Sequence, residues 1–229
     1  MSTFDISQMF AAPAWDDVSK AYAAFVGDHL RLYAQDALSR LNVSAGDHVL
    51  DVATGPGTLS LPAARMTRVS ALDFSQGMLD ILRNKASESE LANLTLTQGD
   101  GQALPLGDAT IDVAFSMFGL FLFTDRAKGI SELARVLKPG GRALVASWQP
   151  QDRIPQFAVI GQALMELAEV PPGAHEPPLA HAETFAEEMS AAGFQVVVES
   201  CKHTLKMQDL EARWAKQSQE HVGKEQATK

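Results

Sequence analysis

The sequence predicts an α/β fold with a mostly parallel sheet, and three observations lead to this prediction. Short runs rich in β-branched residues alternate with stretches whose apolar residues recur at helical spacing. A glycine-containing turn follows the first of these runs. The chain has 229 residues, 46% of them hydrophobic, which suffices for one buried core without disulfides. We therefore expect one domain over residues 1–229.

Two helices are predicted before the first strand, as a helical cap over residues 1–44. The first carries an apolar stripe at positions i, i+3, i+4 and i+7, formed by Val18, Ala21, Tyr22 and Phe25. Asp28 is a candidate N-cap for the second helix, which continues to a turn cluster at residues 44–47.

The predicted core spans residues 45–148 and alternates strands with helices. The strands are expected at 48–53, 68–73, 94–98, 111–117 and 142–148. Helices are expected at 58–66, after an N-cap at Ser75, and after an N-cap at Thr124. The last helix should stop at the Lys-Pro-Gly-Gly sequence of residues 138–141, because proline cannot continue a helix.

The alternation stops after residue 148. Residues 149–182 form an excursion with a helix at about 154–168 and a proline-rich stretch, and connections of this length are commonly lids or binding loops. Two later strands are joined so closely that they must pair antiparallel. The remaining predicted segments are a helix at 183–192, strands at 194–199 and 203–207, a last helix up to residue 215, and a polar tail at 216–229.

The composition counts against several classes of protein. Nineteen basic residues against 28 acidic ones give a net charge of −9, which disfavours binding to nucleic acid. The single cysteine, Cys201, rules out an internal disulfide, and the longest apolar run, 113–123, is too short to cross a bilayer. The N-terminus lacks the basic and apolar regions of a signal peptide. These features predict a cytoplasmic protein without stable membrane insertion and leave its oligomeric state open.

The central motif lies at the end of the first strand and reads Asp-x-Ala-x-Gly-x-Gly, with Asp51, Ala53, Gly55 and Gly57 at the named positions. Glycines let a backbone approach a ligand closely, and the following helix offers free N–H groups. A dinucleotide-binding fingerprint would have a third glycine where this chain has Ser60. A tight turn without a ligand is the alternative. The pattern resembles motif I of class I S-adenosylmethionine-dependent methyltransferases, which usually have glycine in place of Ala53.

Two further acids follow neighbouring strands. Asp73 ends the second strand, where a carboxylate can accept both hydroxyls of a ribose; the alternative is an acid that only stabilises a helix N-terminus. Asp100 follows the third strand, where it could accept the exocyclic amine of an adenine while Gly101 and Gln102 bracket the ring. Gly-Asp-Gly is also good turn chemistry without any ligand.

The resemblance to class I methyltransferases covers about residues 45–150, and the ubiquinone/menaquinone C-methyltransferase-like small-molecule branch is the most similar. It implies a Rossmann-like, doubly wound sheet of seven mostly parallel strands, with helices on both faces and an antiparallel C-terminal hairpin. It also implies S-adenosyl-L-methionine as the cofactor. The residues that the resemblance assigns to this cofactor are Asp51, Ala53, Gly55, Gly57, Asp73, Phe74, Met78, Asp100, Gly101, Gln102, Ser116 and Met117.

The acceptor side departs from that branch. After Phe-Gly-Leu, quinone C-methyltransferases typically carry an Arg-Asn pair, whereas this chain continues with Phe-Leu-Phe at residues 121–123. An apolar wall at this point favours an aromatic or lipophilic acceptor, and simple core packing is the alternative. No general base and no metal-ligating set is recognised. The candidate substrate residues are Phe118, Phe121, Tyr22, Trp15 and His175.

Together these features predict an enzyme that transfers a methyl group from S-adenosylmethionine to a small molecule. Two alternatives stay open at this point: a nicotinamide-dependent oxidoreductase, and a protein that binds S-adenosylmethionine without turnover. The sequence does not identify the acceptor, the atom that is methylated, or whether the C-terminus is complete.

Overall fold

The computed structural model describes residues 12–150, 153–154 and 179–204. Within these residues the chain forms one sheet of five parallel strands in the order β3-β2-β1-β4-β5. The chain adds strands on one side of β1 up to β3 and then continues on the other side with β4, which is the doubly wound topology. The strands are β1 (His48–Val52), β2 (Arg68–Asp73), β3 (Leu94–Gln98), β4 (Ile111–Met117) and β5 (Leu137–Ala146).

The helices cover both faces of this sheet. Alternate residues of β1 point to opposite faces, so Val49 packs with α1, α2 and α3, while Leu50 packs with α4. A third apolar cluster joins α4 to α5 through Ile130 and Met189. The helices are α1 (Ala12–Arg40), α2 (Ser60–Ala64), α3 (Gln76–Glu88), α4 (Arg126–Val136) and α5 (Ala182–Ala191), with a 3-10 turn at Leu120–Leu122.

The N-terminal cap is one helix, not the two that the sequence predicts. The backbone runs without a break through Asp28, so this residue does not begin a helix. A buried stripe of α1, made by Leu30, Ala34 and Leu38, keeps helical spacing. The packing of α1 against α3 and the core cluster outweighs the weak local stop signal.

Two other boundaries differ for identifiable reasons. Asp125, not Thr124, is the N-cap of α4, because its carboxylate accepts the Lys128 N–H at 2.9 Å. The Lys-Pro-Gly-Gly sequence does follow the end of α4, but it forms an irregularity inside β5. There the pairing jumps from Ile111 with Leu137 to Val113 with Arg142. The strand therefore spans 137–146 instead of 142–148.

The structure does not confirm the predicted C-terminal hairpin. Residues 194–204 are described and form no strand, and the last residues of the second predicted strand lie outside the described part. The helix before them, α5, matches its prediction to within one residue and is followed by Gly193 at φ +93°. The predicted helix at 154–168 lies outside the described residues from 155 onward, as do His175, the last helix and the polar tail. No helix within the described ranges has the length and apolar character needed to cross a membrane.

Candidate active site

A loop of left-handed residues follows β1 at the carboxyl edge of the sheet. Ala53, Gly55 and Gly57 have φ angles of +57°, +55° and +85°. A β-carbon on Gly57 would overlap the Cδ1 atom of Leu82, whereas one on Gly55 would meet nothing within 4 Å. Gly57 is thus required by packing, and Gly55 leaves open space beside the loop. Ala53 adopts a conformation that disfavours a side chain by about 1 kcal/mol.

Asp51 anchors this loop from inside the protein. Its side chain is buried, and its Oδ2 atom accepts hydrogen bonds from the hydroxyls of Thr54 and Ser60, both at 2.7 Å. The two hydroxyls lie 2.8 Å apart, which closes a small network between β1, the loop and α2. Burial raises the pKa of Asp51 to about 6, and the nearby Asp73 also raises it. The sequence assigned Asp51 to the cofactor, and this geometry gives it a supporting position below the loop.

The raised pKa of Asp51 predicts an unusual pH dependence. The folded state takes up this proton near pH 6, and the unfolded chain only near 3.8, so the contribution of Asp51 to stability increases as pH falls through this window. Ionised Asp51 lowers the free energy of unfolding by about 3 kcal/mol relative to its neutral form. In urea titrations from pH 4.5 to 7.5, the stability of the parent relative to Asp51→Asn should rise on acidification. A difference that does not change with pH would contradict the assignment.

Asp73 ties the glycine loop to β2. Its side chain is buried; Oδ2 accepts the Gly55 N–H at 2.8 Å and Oδ1 accepts the Ser75 N–H at 2.9 Å. Burial raises the pKa of Asp73, and these N–H groups partly offset that effect. A carboxylate has about four lone-pair positions, so each oxygen can accept one more hydrogen bond. These are the acceptors that two adjacent hydroxyls of a ligand would need.

Helix α1 covers the loop, and sequence reasoning missed the acid that holds it there. The Oδ1 atom of Asp16 accepts the Ser75 hydroxyl at 2.5 Å and the Gly77 N–H at 2.8 Å, which pins α1 to the start of α3. Tyr22 reaches the loop from the same helix, and burial together with Asp73 raises its pKa to about 12. The Trp15 ring meets the Tyr22 ring edge-on at 5.4 Å. An acid in a helical stripe usually faces solvent, so only the tertiary fold identifies Asp16.

Below α1 lies a cavity of about 30 Å³, which is lined by Tyr22, Leu30, Gly55, Met117 and neighbouring residues. This volume holds about one water molecule. The cavity is therefore smaller than a nucleoside. Phe74 and Met78 lie beside Ser75 at the beginning of α3, and Met78 is buried there.

The turn after β3 is held by a pair of side chains. Asp100 is exposed, and its Oδ1 atom accepts both the backbone N–H of Gln102, at 2.8 Å, and its side-chain Nε2, at 3.0 Å. The side-chain Oε1 atom of Gln102 in turn accepts the Asp125 N–H at 2.6 Å, which links this turn to α4. Gly101 between them is buried against the Phe123 ring. The predicted turn chemistry is present, and the Asp100 carboxylate stays open to solvent.

The end of β4 meets the glycine loop. A β-carbon on Gly119 would overlap the β-carbon of Ala53, so the two segments touch at this point. Ser116 lies close to the same contact. Its hydroxyl is the one buried side-chain polar atom without a hydrogen-bond partner in the described part of the chain. An unpaired buried hydroxyl of this kind fits a site that receives a polar ligand group.

The three phenylalanines after β4 do not form one wall. Phe118, at φ +60°, is buried and stacks on Trp148 with ring centroids 4.2 Å apart. Tyr33 of α1 meets the Phe118 ring edge-on at 5.5 Å. Phe123 turns inward against Gly129, and Phe121 is half-buried against the cluster between α4 and α5. The 3-10 turn at Leu120–Leu122 sends these rings in different directions, so the apolar wall that the sequence suggests is not one continuous surface.

Comparison with known proteins gives a consistent assignment. A family model described as a methyltransferase domain matches residues 49–141. The ubiquinone/menaquinone biosynthesis C-methyltransferase UbiE of Geobacter sulfurreducens is 36% identical over 157 residues, which are 65% of this chain and 60% of that protein. A demethylmenaquinone methyltransferase of Corynebacterium kroppenstedtii is 35% identical over 68% of this chain and 65% of its own length. The chain thus spans less than two thirds of these relatives.

Solved structures agree on the fold. A S-adenosylmethionine-dependent methyltransferase from Aquifex aeolicus matches with a TM-score of 0.57 and 22% identity, over 86% of this chain and 92% of that one. The [4+2]-cyclase SpnF matches with a TM-score of 0.58 and 24% identity, over 71% and 56%. At this sequence identity the two structures are evidence for the fold alone. The resemblance seen in the sequence is confirmed: residues 49–141 match a methyltransferase domain, and the relatives named above are methyltransferases of the ubiquinone/menaquinone type.

Proposed function

We propose that this protein transfers a methyl group from S-adenosylmethionine to a small aromatic or lipophilic molecule. The observation that carries the proposal is the junction of the glycine loop with Asp73, where a buried carboxylate with free lone pairs faces a backbone that leaves space for a ligand. The same segment lies inside the matched methyltransferase domain.

The residues around this junction fit S-adenosylmethionine. Asp73 would accept the ribose hydroxyls, and Asp100 with Gln102 would border the adenine. The unpaired Ser116 hydroxyl is available to a polar group of the ligand. When bound, the sulfonium supplies an activated methyl group. The protein then needs mainly to orient the acceptor and exclude water, and α1 over the loop is suited to the latter.

Binding and turnover must be tested separately, because the fold alone does not determine the reaction. The SpnF match, a protein named as a cyclase, makes this separation necessary. We expect S-adenosylhomocysteine to bind in calorimetry with one site per chain and NAD not to bind. We also expect methyl transfer to at least one member of a panel of phenols, quinols and lipophilic amines. Binding without any turnover would favour a non-catalytic role, and NAD binding alone would overturn the proposal.

Phe121 provides a test of acceptor choice. Phe121→Arg should shift turnover from apolar toward carboxylate-bearing aromatic acceptors, because a guanidinium replaces half-buried apolar surface after β4. The affinity for S-adenosylhomocysteine should stay within about twofold of the parent value, since the ring packs away from the glycine loop. Val197→Arg, at a site where the side chain is 83% exposed, controls for the added charge. An unchanged acceptor ratio would remove Phe121 from the acceptor site.

We also propose, as for the family, that the chain is one cytoplasmic domain whose residues 194–207 complete a seven-stranded sheet. Support comes from the alternation after α5: Phe194 and Val196 pack inward, whereas Gln195 and Val197 are exposed. Amide hydrogen exchange tests this, because a paired hairpin protects alternate amides in both strands and an unpaired segment exchanges freely.

A further inference from the structure

Three side chains with metal-binding atoms meet away from the glycine loop. Asp36 lies on α1, and Cys201 and His203 lie on the segment after α5. The Cys201 Sγ atom is 3.2 Å from Asp36 Oδ2 and 3.2 Å from His203 Nε2, and the latter two atoms are 3.9 Å apart. Cys201 is 165 positions from Asp36 and 2 positions from His203 in the sequence, so no local sequence motif predicts this cluster.

The separations suit a tetrahedral ion. Zinc bonds of about 2.0–2.3 Å to oxygen, nitrogen and sulfur place neighbouring ligand atoms about 3.3–3.6 Å apart. Shifts of a few tenths of an ångström in side chains that are one quarter exposed would bring the trio to these values. Their exposure also leaves room for a water molecule as the fourth ligand.

Charge and support around the trio favour a divalent ion. The Nε atom of Arg40 donates to Asp36 Oδ2 at 2.7 Å, and Arg40 also pairs with Glu199. A hydrogen bond of this kind orients a ligating carboxylate. On binding, the Cys201 thiol would release its proton to solvent, so one thiolate and one carboxylate would balance two positive charges. Mixed sulfur, nitrogen and oxygen ligands are characteristic of zinc.

We propose that Asp36, Cys201 and His203 bind a zinc ion that clips the segment after α5 onto α1. Zinc binding would also affect the neighbouring aromatic residues. The Tyr33 ring contacts both His203, at 4.7 Å, and Phe118, at 5.5 Å. This proposal does not depend on methyl transfer.

Cobalt provides a direct test, because Cys201 is the only cysteine of the chain. A thiolate-to-cobalt charge-transfer band can therefore come only from this residue. Titration of the reduced, metal-free full-length protein with Co²⁺ should give the band with an end point of one ion per chain. One equivalent of Zn²⁺ should abolish it. The band should be missing in Cys201→Ser, and apparent affinity should fall about tenfold or more in His203→Ala and Asp36→Asn.

A stability readout and a control complete the experiment. A hundredfold excess of Zn²⁺ over its Kd should raise the Tm of the parent by about 5 °C and leave that of Cys201→Ser unchanged. His48→Gln removes a histidine that contacts Ser70 and should behave as the parent. The proposal is overturned if the folded parent gives no band, if His203→Ala and Asp36→Asn bind Co²⁺ as the parent does, or if Zn²⁺ shifts the Tm of Cys201→Ser equally.

Discussion

Gly57→Ala should lower the free energy of unfolding by about 2–4 kcal/mol. Two effects add: the φ of +85° is unfavourable for any side chain, and the new methyl group would overlap the fully buried Leu82. Leu82 cannot retreat easily, because it lies inside the cluster between the sheet, α1, α2 and α3. Urea unfolding followed by circular dichroism measures the loss.

Gly55→Ala is the matched control for this prediction. It has a comparable left-handed φ of +55° but open space around the new methyl group, so we expect a loss of only about 1 kcal/mol. The difference between the two variants isolates the packing effect. The same Gly55→Ala protein should bind S-adenosylhomocysteine more weakly, because the methyl group would enter the space beside the loop. Equal losses of stability for both variants would contradict the packing argument.

Asp73→Ala should weaken binding of S-adenosylhomocysteine by about 10- to 100-fold, which corresponds to about 1.5–3 kcal/mol for hydrogen bonds to a charged group. The substitution removes the proposed ribose acceptor. It also leaves the Gly55 and Ser75 N–H groups without their carboxylate, so the loop itself loses a tether to β2. Isothermal titration calorimetry on the folded variant gives the ratio of dissociation constants.

Asp80→Asn controls for the loss of one negative charge. Asp80 lies on α3, exposed and paired with Arg83, and it should leave the affinity unchanged. Asp73→Asn separates the two roles of the carboxylate, since it keeps the shape but offers one N–H₂ group where an acceptor is needed. An unaltered dissociation constant in Asp73→Ala, with the protein folded, would remove this residue from the binding site.

Three strands of the sheet were the most predictable part of the fold. The observed ranges of β2, β3 and β4 match those predicted from β-branched runs between turn residues, and Ser75 caps α3 as predicted, accepting the Met78 N–H at 3.1 Å. In these segments local preference and burial favour the same structure. The order of the glycine loop and the two acids after neighbouring strands likewise follows from the chain alone, because parallel strands bring their carboxyl ends to one edge.

Features that depend on distant contacts were not predictable. The continuity of α1 reflects its packing against α3 and the core cluster, and a local cap signal at Asp28 could not reveal it. Asp16 holds α3 across 61 positions of sequence, and the cluster of Asp36 with Cys201 spans 165. Sequence spacing encodes neighbours on one helix or strand, and these pairs belong to different elements. The side-chain directions of Phe121 and Phe123 were not predictable for a related reason, because they depend on the 3-10 turn at Leu120–Leu122.

The contact between Ala53 and Gly119 makes the history of these two positions interdependent. A β-carbon is accommodated at position 53 only while position 119 has none, since the two would overlap. An ancestor with glycine at both positions could have gained a side chain at either one. Once one position carried a β-carbon, a β-carbon at the other would overlap it. Lineages that share this fold should therefore rarely carry side chains at both positions, and any that do should show a displaced β4 loop. A substitution tolerated in one homologue at position 119 would then be harmful in this chain, and Ala53→Gly would restore the tolerance.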